Sequence, residues 1–149
     1  MSQFHKNDHV IENGYLGKDT LPAAGVARKY TTEQLIEIAK CQNDIEYFAE
    51  KYFTIVSMDT GRMLIPLYPY QKDLLHKFQN NRFNIVTQAR QSGKTTTATI
   101  YILHYILFND DKRVAILANK GKTARMVLGR IKLAYELLPN FLKAAVTKW

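Results

Sequence analysis

Three shortages narrow what this chain can be. It has one cysteine, Cys41, in 149 residues, so no internal disulfide framework holds it together, and a lone thiol suits a reducing compartment. The simplest reading of Cys41 is a small apolar helix residue. Long hydrophobic runs are also missing. The most hydrophobic stretch, IYILHYILF at 100–108, is too short to span a bilayer, and no apolar segment near the N-terminus has the form of a signal peptide. A soluble, intracellular protein with no membrane association is the expectation. Finally, the second half is short of acidic residues. Residues 81–149 carry 12 basic and 3 acidic side chains, against 4 and 3 in 1–30 and 5 and 7 in 31–80. The formal net charge of +8 therefore belongs to the second half, where it favours polyanions, either nucleotide phosphates or a nucleic-acid backbone.

What is present is enough apolar material for one core, with 46% hydrophobic residues, seven Phe and nine Tyr. Residues 1–30 mix Gly14, Gly17, Pro22 and Gly25 with scattered charge and read as a flexible arm. His5 and His9 lie four apart, but without a Cys or carboxylate cluster around them they belong to that arm rather than to a metal site. Residues 31–80 read as a helical subdomain. Thr31 and Gln34 form a capping-box pattern before Leu35, Ile36 and Ala39, which begin an apolar face. Asn43 or Asp44 caps a second helix with Ile45, Phe48, Ala49 and Phe53 on one side. TIVSMDTGRMLIPL suggests two short strands around an Asp-Thr-Gly turn. Pro69 opens a third helix whose buried face is Leu74, Leu75 and Phe78.

From Arg82 the rhythm changes. FNIVTQ is strand-like, TTTATIYILHYILF helical and apolar on most sides, RVAILAN strand-like again, and TARMVLGRIKLAYELL an amphipathic helix. Strand, loop, helix, repeated, predicts right-handed crossovers on a parallel sheet, hence an α/β fold. His104, inside the apolar helix, is most simply a buried residue with one hydrogen-bond partner.

Two Gly-Lys-Thr triplets occupy this region, and loop length separates them. A phosphate-binding loop must wrap backbone N–H groups around a phosphate, bring a lysine to the terminal phosphates and place a hydroxyl on Mg²⁺. Five residues, Gln88 to Ser92, precede Gly93, the spacing of G-x-x-x-x-G-K-T with Gln88 in place of the first glycine. Only Asn119 and Lys120 separate the second strand-like run from Gly121, too few to encircle a phosphate. Arg90 and Lys94 also face the positive end of a helix dipole, which is unfavourable until an anion arrives. The candidate nucleotide contacts are therefore Gln88, Ala89, Gln91, Ser92, Gly93, Lys94, Thr95 and Thr96. Lys94 is assigned to the β- and γ-phosphates, Thr95 to Mg²⁺, and Arg90 to the charge that develops on the γ-phosphate, an arginine finger in cis. Upstream, Gln71 can donate to and accept from an adenine edge while Tyr70 stacks on the ring, which would select ATP over GTP. Lys120, Lys122 and Arg125, with Arg130 and Lys132 beyond, are candidate contacts for a nucleic-acid backbone or else solvated helix charge.

LYPYQKDLL, QARQSGKTT with its degenerate start and internal Arg-Gln, the run RVAILANKGKTARMVLGRIKLAYELLPNFL, and the Glu46-Tyr47-Phe48 to Tyr52-Phe53 helix together resemble the beginning of the large terminase subunit of tailed bacteriophages. That family is the ATP-driven motor that packages DNA into proheads. The resemblance runs from about Lys40 onward. It implies a P-loop NTPase fold, the N-terminal portion of an ASCE-type parallel sheet after an α-helical region, with the P-loop core at 81–149. It also implies that Tyr70 and Gln71 are adenine contacts, Lys94 and Thr95 the phosphate and magnesium ligands, and Arg90 the cis-acting arginine. ATP and Mg²⁺ are the implied cofactors. Double-stranded DNA, a portal protein and a small terminase subunit are the implied partners, homo-oligomerisation occurs only in the complete motor, and the site of action is the cytoplasm of the infected host.

Family members continue with a strand ending in Asp-Glu and a ribonuclease-H-like nuclease. Asp110, Asp111 and Glu136 are the acidic residues of 81–149, and none stands at a strand end beside the phosphate loop. The expectation is thus an N-terminal portion, from a split, truncated or partially sequenced gene, that binds nucleotide weakly and turns over negligibly alone. In that family the two strands of this region are not neighbours, so their edges and apolar faces should lie unpaired. Two rivals remain: a helicase-like translocase with the same glutamine and phosphate-loop elements, and a non-catalytic basic module that binds DNA or a partner.

Overall fold

The computed structural model describes residues 14–57 and 61–149. Its elements are helices α1 (Thr32–Asn43) and α2 (Ile45–Tyr52), strands β1 (Thr54–Ser57) and β2 (Gly61–Leu64), and helices α3 (Pro69–Asn80), α4 (Lys94–Phe108) and α5 (Gly121–Leu137). Single 3₁₀ turns lie at Tyr15–Gly17 and Asn140–Leu142.

Local chemistry sets most boundaries. The Gln34 N–H donates to Thr31 Oγ1 at 3.2 Å and the Thr31 N–H to Gln34 Oε1 at 3.1 Å, so the capping box that starts α1 is formed. Asp44, rather than Asn43, caps α2, accepting the N–H groups of Glu46 and Tyr47 at 2.9 and 3.0 Å. Pro69 occupies the first turn of α3. Strands β1 and β2 pair antiparallel, with Thr54 opposite Leu64 and Ser57 opposite Gly61. The expected Asp-Thr-Gly turn between them falls at Asp59 and Thr60, outside the described residues, as do His5 and His9.

α4 is the central element and packs against α2, α3 and α5. Its inward side buries Ile100, Leu103 and His104 against Ile45, Phe48, Leu75 and Leu138. His104 has the single partner expected of it, the Cys41 carbonyl oxygen 2.9 Å from Nε2. Burial lowers its pKa, so the neutral ring with Nε2–H donating is the form that fits. Cys41 is wholly buried, and burial pushes its thiol up to about 12. The apolar face assigned to α1 is corrected: Leu35, Ile36 and Ala39 are exposed, and α1 packs through Ile38 and Cys41. Cys41 lies three positions after Ile38, and this stripe, not the more apolar-looking one, is turned toward the core.

Between α1 and α2, Glu37 Oε1 accepts hydrogen bonds from the Tyr47 hydroxyl at 2.5 Å, the Tyr52 hydroxyl at 2.7 Å, and Lys51 Nζ. Burial alone would raise the Glu37 carboxyl, but these bonds outweigh it and pull it down to about 2 from an ordinary 4.5. A depressed carboxylate contributes stability that is present above its unfolded pKa and lost as pH falls through the folded value. Glu37→Gln should therefore cost about 1–2 kcal/mol near neutrality, and the difference should vanish between pH 4.5 and about 2. Urea midpoints of both proteins across that range measure it; a gap that persists at the acid end would refute the cause.

From Gly14 to Arg28 the N-terminal arm, irregular there apart from one 3₁₀ turn, is docked on the C-terminal segment. The Val146 N–H donates to the Pro22 carbonyl at 2.7 Å and the Ala24 N–H to Val146 O at 3.1 Å. Arg28 Nη1 donates to Lys143 O at 2.7 Å. Lys143, only 1% exposed, donates through Nζ to Thr20 O at 3.0 Å and Asn140 Oδ1 at 3.3 Å. Burial brings its pKa down to about 8 despite the opposing charges of Glu136 and Asp19.

The parallel sheet expected from the second half is not formed. Residues 83–89 and 112–118 lie outside any helix or strand, and the β1–β2 hairpin is the one multi-residue ladder among the described residues. Ile85 is 98% and Leu117 91% exposed. Both runs have strand composition, but a strand exists only through a neighbour's N–H and C=O groups, and neither run has one. Among the described residues the architecture is a mixed α/β one, five α-helices with a small antiparallel hairpin set against α2 and α5.

Candidate phosphate-binding site

The loop before α4 is shaped by two left-handed residues. Gly93, the residue capping α4, has φ 79° and Gln91 has φ 62°. For glutamine this conformation costs on the order of 1–2 kcal/mol, the kind of strain that clusters at functional loops. Lys94 turns back across the loop, its Nζ donating to the carbonyl oxygens of Gln88 at 2.9 Å and Ala89 at 2.6 Å. Ser92 Oγ donates to Gln88 Oε1 at 3.3 Å. The five residues from Gln88 to Ser92 thus close into a compact turn around an amine.

Helix α4 carries no side-chain cap and no acidic residue in its first turn. Its first N–H groups and the positive end of a 15-residue dipole are directed at the loop, a donor set suited to an anion. Arg90 is an exposed turn residue of the loop. Thr95 and Thr96 are half-buried. Thr96 also lines a cavity of about 230 Å³ with Thr54, Val56, Thr99, Arg130 and Leu133, on the side of α4 facing β1 and α5.

Helix α3 brings Tyr70 and Gln71 to the same loop. The Tyr70 hydroxyl donates to Ser92 O at 3.1 Å. Gln71 is buried, its Oε1 accepts the Tyr68 N–H at 3.0 Å, and its Nε2 lies so close to Gly93 that a Cβ there would stand 2.4 Å away. The candidate adenine contacts and the candidate phosphate contacts, 22 residues apart in sequence, are therefore neighbours. Neither the glycine's double constraint nor the hydroxyl link was legible in the sequence. What motif reading did find, Gln71 before a Gly-Lys-Thr, was half of the signal.

The second triplet is built differently. Gly121 is already the first residue of α5, Lys120 before it is extended at φ −135°, and Gly121 is not among the described glycines with positive φ. No loop wraps there. Lys120, Lys122 and Arg125 are instead exposed cations at the start of a helix with no acidic residue in its first turn and no side-chain cap. Among the described residues, no group of three His, Cys, Asp or Glu side chains could hold a metal, and no helix is long and apolar enough to cross a membrane.

Comparison with protein families gives a match at 85–149 to the model described as terminase large subunit, T4-like-virus type, N-terminal. The matched stretch takes in the strained loop, α4, the basic start of α5 and the C-terminal segment that holds the arm. Over residues 85–149 the chain is thus similar to the N-terminal part of large terminase subunits of the T4-like-virus type.

Proposed function

We propose that the chain is the nucleotide-binding N-terminal portion of a viral DNA-packaging motor. It binds ATP with Mg²⁺ at the loop Gln88–Thr96 and, within a complete large subunit, couples hydrolysis to the movement of double-stranded DNA into the prohead. The observation that carries this reading is the convergence of α3 on the loop: Tyr70 and Gln71 reach Ser92 and Gly93 at the uncapped, positive end of α4. In this reading Lys94 exchanges the two carbonyls for β- and γ-phosphate oxygens, the Thr95 hydroxyl takes Mg²⁺, and the main-chain N–H groups around Gly93 hold the phosphate. Mg²⁺ would supply neutralisation of phosphate charge. Arg90 is assigned to the γ-phosphate, and Gln71 with Tyr70 to the adenine. A parallel P-loop sheet of the ASCE type belongs to the same proposal for the complete large subunit, where runs 83–88 and 113–119 would gain the strand partners they lack here.

Lys120, Lys122 and Arg125 are assigned to the DNA backbone, because three cations at a helix N-terminus are poorly placed until an anion joins them. Portal and small-subunit partners follow from the motor role. A titration with a fluorescent ATP analogue tests the site. Lys94→Ala should abolish binding, a loss of more than about tenfold for a charge-assisted phosphate contact, while Lys122→Ala leaves it unchanged. The reverse order would overturn the assignment. Salt-dependent DNA binding that ignores ATP and survives Lys94→Ala would favour the non-catalytic basic module instead.

A further inference from the structure

Two tyrosines at the start of α3 have different surroundings. The Tyr70 hydroxyl is committed to Ser92 O at 3.1 Å, and one side of its ring is covered by Tyr68. The two rings are nearly parallel, 7° apart, with centroids 5.5 Å apart. Tyr68 is 62% exposed against 44% for Tyr70, yet its backbone is fixed at both ends. Its N–H donates to Gln71 Oε1 at 3.0 Å, and its carbonyl accepts the N–H groups of Gln71 at 2.8 Å and Lys72 at 3.1 Å. A tied hydroxyl is a mechanical link, whereas an exposed and pre-oriented ring is a stacking surface that costs little entropy to use.

We propose that these tyrosines divide the work of the nucleotide site: Tyr70 is a positioning residue that sets the phosphate loop through Ser92, and Tyr68 is the ring on which the purine base stacks. The proposal rests on the reading of Gln88–Thr96 as the nucleotide loop, and it moves the stacking contact from Tyr70 to Tyr68. Ser92 directly precedes Gly93 and Lys94. Holding its carbonyl therefore restrains the left-handed turn that aims the lysine and the first N–H groups of α4. Each ring covers one face of the other, but Tyr70 has its hydroxyl occupied and is the less exposed of the two, which leaves Tyr68 as the more open ring.

Inorganic tripolyphosphate and ATP, each with Mg²⁺, separate the two roles, because tripolyphosphate has no base. Calorimetric titrations of the full chain should show Tyr70→Phe weakening both ligands by the same factor, about fivefold for one neutral hydrogen bond. Tyr68→Ala should weaken ATP about tenfold, the effect of losing one base–aromatic stack, and leave tripolyphosphate unchanged. Tyr68→Phe should bind ATP like the parent chain, since a ring without the hydroxyl still stacks; it also keeps the test open if the alanine variant does not fold. Tyr70→Phe without effect on tripolyphosphate, or Tyr68→Ala without effect on ATP, would overturn the division of roles. Lys94→Ala distinguishes this failure from a deeper one. If it leaves tripolyphosphate binding intact, the nucleotide loop itself is misassigned; if it abolishes binding while the tyrosine variants behave alike, only the division falls.

Discussion

Phe48→Ala should lower the stability of the chain by about 3–5 kcal/mol, the range for truncating a buried aromatic. Phe48 is completely buried on α2 and meets α4 edge-on at two rings, His104 with centroids 5.5 Å apart and Phe108 at 5.8 Å. His104 and Phe108 also touch each other at 4.8 Å. Removing the phenyl ring leaves a void at the junction of α2 and α4, and it exposes the flank of a histidine that burial keeps neutral. Surrounding groups are held from both sides, His104 by the Cys41 carbonyl and α2 by its Asp44 cap, so the site has little room to collapse. Domains of this size are stable by only about 5–15 kcal/mol, and the loss is a large part of that. Phe48→Leu should cost much less, under about 2 kcal/mol, because it keeps most of the volume. Urea denaturation of the two variants gives the comparison. A cost below about 1 kcal/mol for the alanine would show that the α2–α4 junction is not the core.

Gly93→Ala should damage both the fold and the proposed site, and Gly121→Ala neither. At Gly93 the backbone is left-handed with φ 79°, which costs a residue with a Cβ about 1–2 kcal/mol. The new methyl group would also stand 2.4 Å from Gln71 Nε2. That side chain has little freedom to retreat, being buried with its Oε1 bound to the Tyr68 N–H. Relief must come from opening the loop or from breaking the α3 contact, and both disperse the groups assigned to nucleotide. A loss of at least about tenfold in affinity for an ATP analogue is expected, from displacement of the loop's N–H donors. Gly121 has no such constraint. A Cβ there meets the flexible end of Arg125 at 3.4 Å, and alanine in a helix is favoured over glycine by up to about 1 kcal/mol. Paired thermal melts and titrations of the two variants decide the matter. Equal effects would mean that the two Gly-Lys-Thr triplets are not structurally distinct.

Much of this molecule is readable from local sequence. The Thr31–Gln34 box, the Asp44 cap and Pro69 at the head of α3 each act within three or four residues, and each helix begins where they indicate. The contrast between the triplets was legible for the same reason, because the number of residues before a glycine limits how the chain can wrap. α1 shows where local reading stops. Leu35 and Ile36 looked like the inner face, but Ile38 and Cys41 are the residues turned into the core. Composition cannot tell which of two overlapping apolar stripes a neighbour will select.

The runs FNIVTQ and RVAILAN mark a second limit. Their composition gives strand propensity and their flanks give strand–loop–helix order. The ladder itself depends on partners distant in the chain, and Ile85 and Leu117 stand exposed without them. Sequence by itself determined the helices, their caps, the five-residue loop and the concentration of positive charge beyond residue 80. Only tertiary structure decided that Tyr70 and Gln71 grip Ser92 and Gly93, that Glu37 gathers two tyrosines and a lysine, and that Lys143 and Arg28 fasten the arm to the C-terminal segment. The first set follows from forces acting within a turn or two of backbone. The second joins groups 10 to 123 residues apart, and such meetings are fixed by how whole helices pack rather than by the residues at either end.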